Sequence, residues 1–212
     1  MTKALELLSD EGLQGLTMAR LATELDLTPG ALYRYFDGKD ALVVEMQAVC
    51  IDRMLARFDA GPRSTVEDAA EAAIAELLRV AWFYARLPEE DPSTYRLISL
   101  TLVDPEPVVT DDAAARVREP LERAFLVVAD RVSAAVEAGA LTAGDAVGRS
   151  VILWSAVQGV VQTSKLDRLA PGFFSPLLRV TQLVEALLRG WGAPADPLAR
   201  AIASRPTPED SP

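Results

Sequence analysis

The residues able to do chemistry are few, and they cluster. Between positions 17 and 39 the chain places hydroxyls at Thr17, Thr28, Tyr33 and Tyr35 and cations at Arg34 and Lys39. Hydroxyls and cations at this density suit phosphate oxygens and the edges of bases, and they do not assemble a reaction. Elsewhere the inventory is defined by what it lacks. Histidine is absent. That removes the commonest general base, the usual zinc ligand and every Ser-His or Cys-His nucleophile. The single cysteine, Cys50, lies between Val49 and Ile51 on a helical pattern and reads as a small buried hydrophobe. There is no glycine-rich phosphate loop and no metal-ligand spacing. No catalytic residue, metal or cofactor is expected, and the chain does not read as an enzyme.

The elements that must position the hydroxyl cluster are helices. No sustained strand alternation occurs, while helical spacing recurs along the chain, so the fold class is all-α. A first helix over 4–11 carries Leu5 and Leu8 and is stopped by Gly12. Thr17 caps a second, short helix with Leu21, Ala22 and Leu25 inward. Thr28 caps a third, with Pro29 at its first position, where the missing N–H costs nothing. This third helix is expected to carry Leu32, Tyr33, Tyr35 and Phe36 and to end at Asp37-Gly38. A longer fourth helix follows over 39–58. Further helices are expected over 65–86, ending before Pro88, over 92–102, and over 111–138 with a break near Pro120. Two more cover 146–169 and 176–191. Asp104 to Pro107 reads as a loop. From Ala193 onward the chain reads as a mobile tail, with one helical turn possible over 198–203.

Three short helices joined by tight turns, then a longer one, form the layout of a helix-turn-helix head on a helical body. In that layout the second helix crosses the DNA backbone while the third enters the major groove. The small residues Ala22, Gly30 and Ala31 permit close approach. The helix starts at Thr17 and Thr28 present free N–H groups to phosphate.

The order Glu11-Gly12, Leu16-Thr17-Met18-Ala19-Arg20-Leu21-Ala22, Leu27-Thr28-Pro29-Gly30-Ala31-Leu32-Tyr33-Arg34-Tyr35-Phe36 and Lys39-Asp40-Ala41-Leu42 resembles the TetR family of bacterial transcriptional regulators. The specific part is the Leu-Tyr-x-Tyr-Phe run followed by Lys39. The resemblance implies a head over 1–45, an effector-binding and dimerisation domain over 46–192 and a tail over 193–212. It places Thr28, Pro29, Gly30, Ala31, Tyr33 and Tyr35 at or near the groove, and Thr17 and Lys39 on the DNA backbone; Arg34 supplies charge for a phosphate. Phe36 reads as core. It further implies a homodimer on a roughly palindromic double-stranded operator, released by a small-molecule effector.

Three departures stand against that pattern. The basic lead before the first helix is missing, as expected if the natural start lies upstream. Asp26 occupies a turn where glycine or asparagine is common; aspartate adopts the left-handed conformation there at some cost. The head is also acidic, with four basic against eight acidic residues through Glu45, a net −4, within a chain of net −10. Few phosphate contacts imply modest affinity and a shallow dependence on salt.

In the body, Val151, Trp154, Ser155, Gln158, Gly159 and Gln162 are spaced for one helical face. Leu177, Val180, Thr181, Val184, Leu187, Leu188 and Trp191 form a stripe on the last helix. Both suit pairing of two subunits. Trp82, Tyr84, Tyr95, Phe125, Trp154 and Gln158 are candidates to line an effector pocket, and their aromatic character points to a hydrophobic effector. Arg86 and Arg96 could instead anchor an acidic one, although solvent is their more ordinary place. No apolar run reaches membrane-spanning length, and no signal peptide is evident, so a cytoplasmic location is the default. The competing reading is a helical sensor or protein-interaction module with weak or lost DNA binding.

Overall fold

The computed structural model describes residues 1–61, 65–103 and 109–204, and among them every regular element is helical. The expected loop over 104–107 lies outside the described residues, as does the tail beyond Ser204. Two compact units are present. The first comprises Met1–Ala60 with Leu87–Ala124, and the second Gly61–Arg86 with Phe125–Pro212.

In the first unit, α1 spans Thr2–Gly15, but Gly12 inside it has φ 72° and is not helical. Regular helix ends at Glu11, as its glycine demands. The chain resumes one short turn, closed by Leu16 N–H to the Gly12 carbonyl at 3.2 Å. Helix α2 (Met18–Glu24) is capped by Thr17, whose Oγ1 accepts the Arg20 N–H at 3.1 Å. Asp26, in the turn to α3, has φ 54° and is the only non-glycine at positive φ among the described residues. Helix α3 covers only Pro29–Leu32. Tyr33 and Tyr35 lie in the turn beyond it, which is held by Tyr35 and Phe36 N–H groups on the Leu32 carbonyl at 2.9 and 3.0 Å. The expected helix thus gives way early, because the chain must close toward Gly38 and start α4 (Lys39–Ala60).

These elements share one core with α6 (Pro92–Ile98). Leu8, Leu16, Leu21, Leu32, Leu42 and Met46 are buried together with Leu97 of α6, and Phe36 packs on their edge. Each such leucine contributes about 2 kcal/mol by leaving water. Cys50 is buried in the same cluster, and burial raises its thiol pKa, so it stays a neutral hydrophobe. Helix α6 starts on a dense cap. Asp91 accepts the Thr94 N–H at 3.2 Å, the Thr94 hydroxyl at 2.8 Å and the Ser93 hydroxyl at 2.9 Å. Beyond Ile98 the helix loosens into a π-helical turn over Ser99–Val103. Helix α7 (Asp111–Ala114) and a tight turn over Ala115–Val117 lead into α8 (Arg118–Glu137). The break expected near Pro120 falls just before it, and Pro120 sits in the first turn of α8, where its missing N–H is harmless.

Helix α5 (Ala69–Glu90) begins in the second unit, and its last residues, from Leu87, belong to the first. It runs two residues past Pro88, because proline in a final turn removes a hydrogen bond without stopping the chain. The second unit also holds most of α8, then α9 (Ala146–Thr163), α10 (Pro176–Gly190) and α11 (Ala195–Ala203). Helix α9 ends at Thr163, and a 3₁₀ stretch, Ser164–Arg168, completes the segment expected to be helical. The stretch expected as a mobile tail carries α11, whose Leu198 and Ala201 are buried. Arg200 ties it down through Asp68 at 2.9 Å and through Glu71.

Two predictions follow from the strained turn and the cap. Replacing Asp26 by Gly should stabilise the protein by about 0.5–1 kcal/mol, through relief of left-handed strain partly offset by chain entropy; a denaturant midpoint that falls would contradict the strain assignment. For Asp91, burial opposes ionisation, but the Thr94 and Ser93 hydrogen bonds outweigh it and hold its pKa below the ordinary 3.8. A lowered folded-state pKa contributes stability above the ordinary value and loses it as pH falls through the lowered one. Asp91→Ala should therefore cost about 1–2 kcal/mol at neutral pH. Denaturation of both proteins should show that gap narrowing below about pH 4.

Candidate nucleic-acid interface

The hydroxyl cluster of the head is presented on an exposed surface. Thr28, Pro29, Gly30, Tyr33, Arg34 and Tyr35 are all exposed, and Ala31 is half-buried. Tyr33 keeps 54% and Tyr35 73% of its surface in solvent, so neither belongs to the core that holds Leu32. Beneath them Leu32 is buried and Phe36 half-buried, which fixes the turn from the inside. Thr28, at the start of α3, is exposed and makes no side-chain capping bond. A Cβ built on Gly30 would meet nothing within 4 Å. Internal packing therefore does not require this glycine.

The charges of the head are mostly committed. Arg20 bridges Glu11 at 3.0 Å and Glu24 at 2.8 Å. Its pKa is raised, first by the Glu11 hydrogen bond, so it is a cation already neutralised by its neighbours. Lys3 pairs with Glu6 at 2.7 Å. Lys39 donates its Nζ–H to the Leu13 carbonyl at 2.5 Å and is half-buried. This bond closes the end of α1 against the start of α4, a structural task that sequence alone did not indicate for Lys39. Its other ammonium hydrogens remain available to a phosphate. Arg34 is exposed and takes part in no ion pair among the described residues. Thr17 spends its oxygen lone pair on the α2 cap and keeps its hydroxyl hydrogen for another partner.

The proposed effector residues are divided between the two units. Tyr95 lies on α6 in the first unit, and the other five belong to the second. Within the second unit they are tied in pairs. Tyr84 donates its hydroxyl to Gln158 Oε1 at 2.6 Å, and both are buried. Trp82 donates its indole N–H to Thr181 at 2.9 Å. Phe125 meets Trp154 edge-on, with ring centroids 5.6 Å apart. The Trp82 and Tyr84 donors are thus each satisfied within the unit. Of the face expected on α9, Gln158 turns inward, whereas Val151, Ser155, Gly159 and Gln162 stay exposed. On α10, Val180, Thr181, Val184 and Leu188 are buried within the unit itself.

Residues 1–46 match the family model described as bacterial regulatory proteins, tetR family. No curated protein sequence matches the chain. Solved structures of similar fold cover most of it. The fatty acid degradation regulator FadR from Bacillus halodurans shares 12% identity and a TM-score of 0.67, over 91% of this chain and 94% of that one. FadR from Bacillus subtilis, solved in complex with stearoyl-CoA, shares 15% identity and a TM-score of 0.62, over 89% and 96%. TylP, a tetR regulator from Streptomyces fradiae, shares 21% identity and a TM-score of 0.62, over 93% and 86%. At these identities the structural likeness establishes fold. The head over residues 1–46 thus matches that of the bacterial regulatory proteins of the tetR family, and the chain as a whole has the all-helical fold of these structures.

Proposed function

We propose that the protein is a cytoplasmic homodimeric repressor that binds a roughly palindromic operator and is released by a small, hydrophobic effector. The observation that carries the DNA-binding part is the exposed turn. Two tyrosines with free hydroxyls stand beside Thr28, Pro29 and Gly30, on a scaffold whose own packing leaves Gly30 open. A side chain added at Gly30 meets no protein atom, so its intolerance would report on a partner. In this reading Tyr33, Tyr35 and Thr28 make groove and phosphate contacts, Arg34 pairs with a phosphate, and Thr17 and Lys39 approach the backbone.

Pairing of subunits is supported by the exposed stripe Val151, Ile152, Ser155, Gly159 and Gln162 on α9, where the small residues permit close approach. A symmetric dimer would set two recognition turns a whole number of DNA turns apart. A hydrophobic effector is supported by the aromatic network of the second unit and by the stearoyl-CoA complex of one structural neighbour. Among the described residues no helix is long and apolar enough to cross a membrane. The second reading, an interaction module with weak or lost DNA binding, is favoured by one observation, the commitment of Arg20, Lys3 and Lys39 to partners within the head.

Fluorescence anisotropy on DNA from the region upstream of the protein's own gene separates the two. Tyr33→Ala should abolish specific binding without lowering the unfolding temperature. Gly30→Ala should leave stability unchanged or raise it by up to about 1 kcal/mol, as a helical glycine replaced by alanine does, yet weaken binding at least tenfold. Specific binding that both variants retain would remove the turn from the interface. A wild type that binds no specific DNA would favour the interaction-module reading, and a monomer by sedimentation would remove the pairing.

A further inference from the structure

Among the described residues Arg20 is the only cation of the head held by two carboxylates. Its Nε and Nη2 donate to Glu11 Oε1 at 3.2 and 3.0 Å, and its Nη1 lies 2.8 Å from Glu24 Oε1. The donor fork of the guanidinium is thereby occupied on every nitrogen, and it is the same fork that grips a phosphate. One positive charge faces two negative ones, so the trio is acidic as a whole. Joining α1 to α2 takes only Glu11. Glu24 lies on α2 itself, four residues after Arg20, and adds a second like charge. Arg20 keeps 43% of its side chain in solvent, and exposed bridges of this kind are weak, so a competing anion can open them. The place of the trio bears on which anion that is. Arg20 stands three residues after Thr17, and its backbone N–H bonds the Thr17 hydroxyl oxygen at 3.1 Å. The second helix of a helix-turn-helix crosses the DNA backbone. A guanidinium there meets phosphate, and glutamates there meet repulsion.

We propose that Glu11 and Glu24 act as an intramolecular stand-in for phosphate, a clamp that withholds Arg20 from the DNA backbone and holds down the affinity of the head for any duplex. Arg20 is then a latent phosphate contact, and the two carboxylates decide whether it is made. Arg34, which takes part in no ion pair among the described residues, carries no such restraint. With Arg20 withheld, backbone attraction common to all sequences is small, and binding leans on the exposed turn with Thr28, Tyr33 and Tyr35. The inference rests on the DNA-binding reading above. It concerns phosphate and not bases, so a random-sequence duplex tests it without an operator.

Three full-length proteins are compared on a random-sequence duplex over a range of salt: the wild type, the double variant Glu11→Gln with Glu24→Gln, and the triple variant that adds Arg20→Ala. The double variant should bind more tightly than the wild type at low salt. Its slope of log K against log salt should be steeper by about 0.9 per head, the mark of one further neutralised phosphate. Arg20→Ala in the triple variant should take that increment away. Equal slopes for the double and triple variants would place Arg20 away from phosphate and overturn the proposal. Equal slopes for the wild type and the double variant would overturn it too, because the carboxylates would then withhold nothing. The double variant should unfold within about 4 °C of the wild type, as loss of exposed bridges allows; a larger fall would assign the clamp to the fold instead. The predicted slopes in a protein that shows no preference for its upstream DNA would support the clamp while sinking the operator reading.

Discussion

The structure depends on one packing constraint, the shared core between the head and α6. Leu8 of α1, Leu16, Leu21 of α2, Leu32 of α3 and Leu42 and Met46 of α4 close around one another, and Leu97 of α6 completes them. None of the short helices could stand alone, since α2 has seven residues and α3 four, well below what an isolated helix needs. Their angle is fixed only because one face of each is consumed by this cluster. What the cluster leaves outside is the turn with Tyr33 and Tyr35. The exposed surface of the head is therefore the complement of the core. Any change of core geometry at α6 is felt at the head, because both draw on the same buried side chains.

Electrostatics shape the same surface by subtraction. The head has twice as many acids as bases, and three of its four cations are engaged within it. Lys39 on the Leu13 carbonyl and Arg20 between two glutamates act as staples between elements. Such exposed bridges add little stability, but they withdraw charge from the solvent. A DNA-binding reading must then rest on hydroxyls, backbone N–H groups and Arg34 more than on a basic field. That makes recognition depend on geometry, and hence on the core described above.

Much of this was legible in the sequence where a residue type has one physical use. Gly12 stopping α1, Thr17 capping α2, Pro29 opening α3 and Asp26 taking the left-handed conformation all follow from local chemistry. Elements that depend on tertiary contacts were less legible. The third helix ends at Leu32 because the chain must turn into α4, which periodicity does not encode. Helix α11 forms because Leu198 and Ala201 find a buried seat and Arg200 finds Asp68 and Glu71, the nearer of the two 129 residues away in sequence. Aromatic spacing could nominate Trp82, Tyr84, Trp154 and Gln158, but not that their polar groups would bond within the unit.

On the proposed function, the turn over Thr28–Tyr35 binds DNA specifically with few cations. The most direct measurement is the association constant for the upstream DNA as a function of salt concentration. Each neutralised phosphate contributes about −0.9 to the slope of log K against log salt. A specific complex is expected at low salt with a shallow slope, no steeper than about −5 per dimer. A slope near −10, of the size many-cation binders give, would mean that binding runs through a basic surface this head does not possess. The absence of any specific complex at low salt would contradict the claim outright.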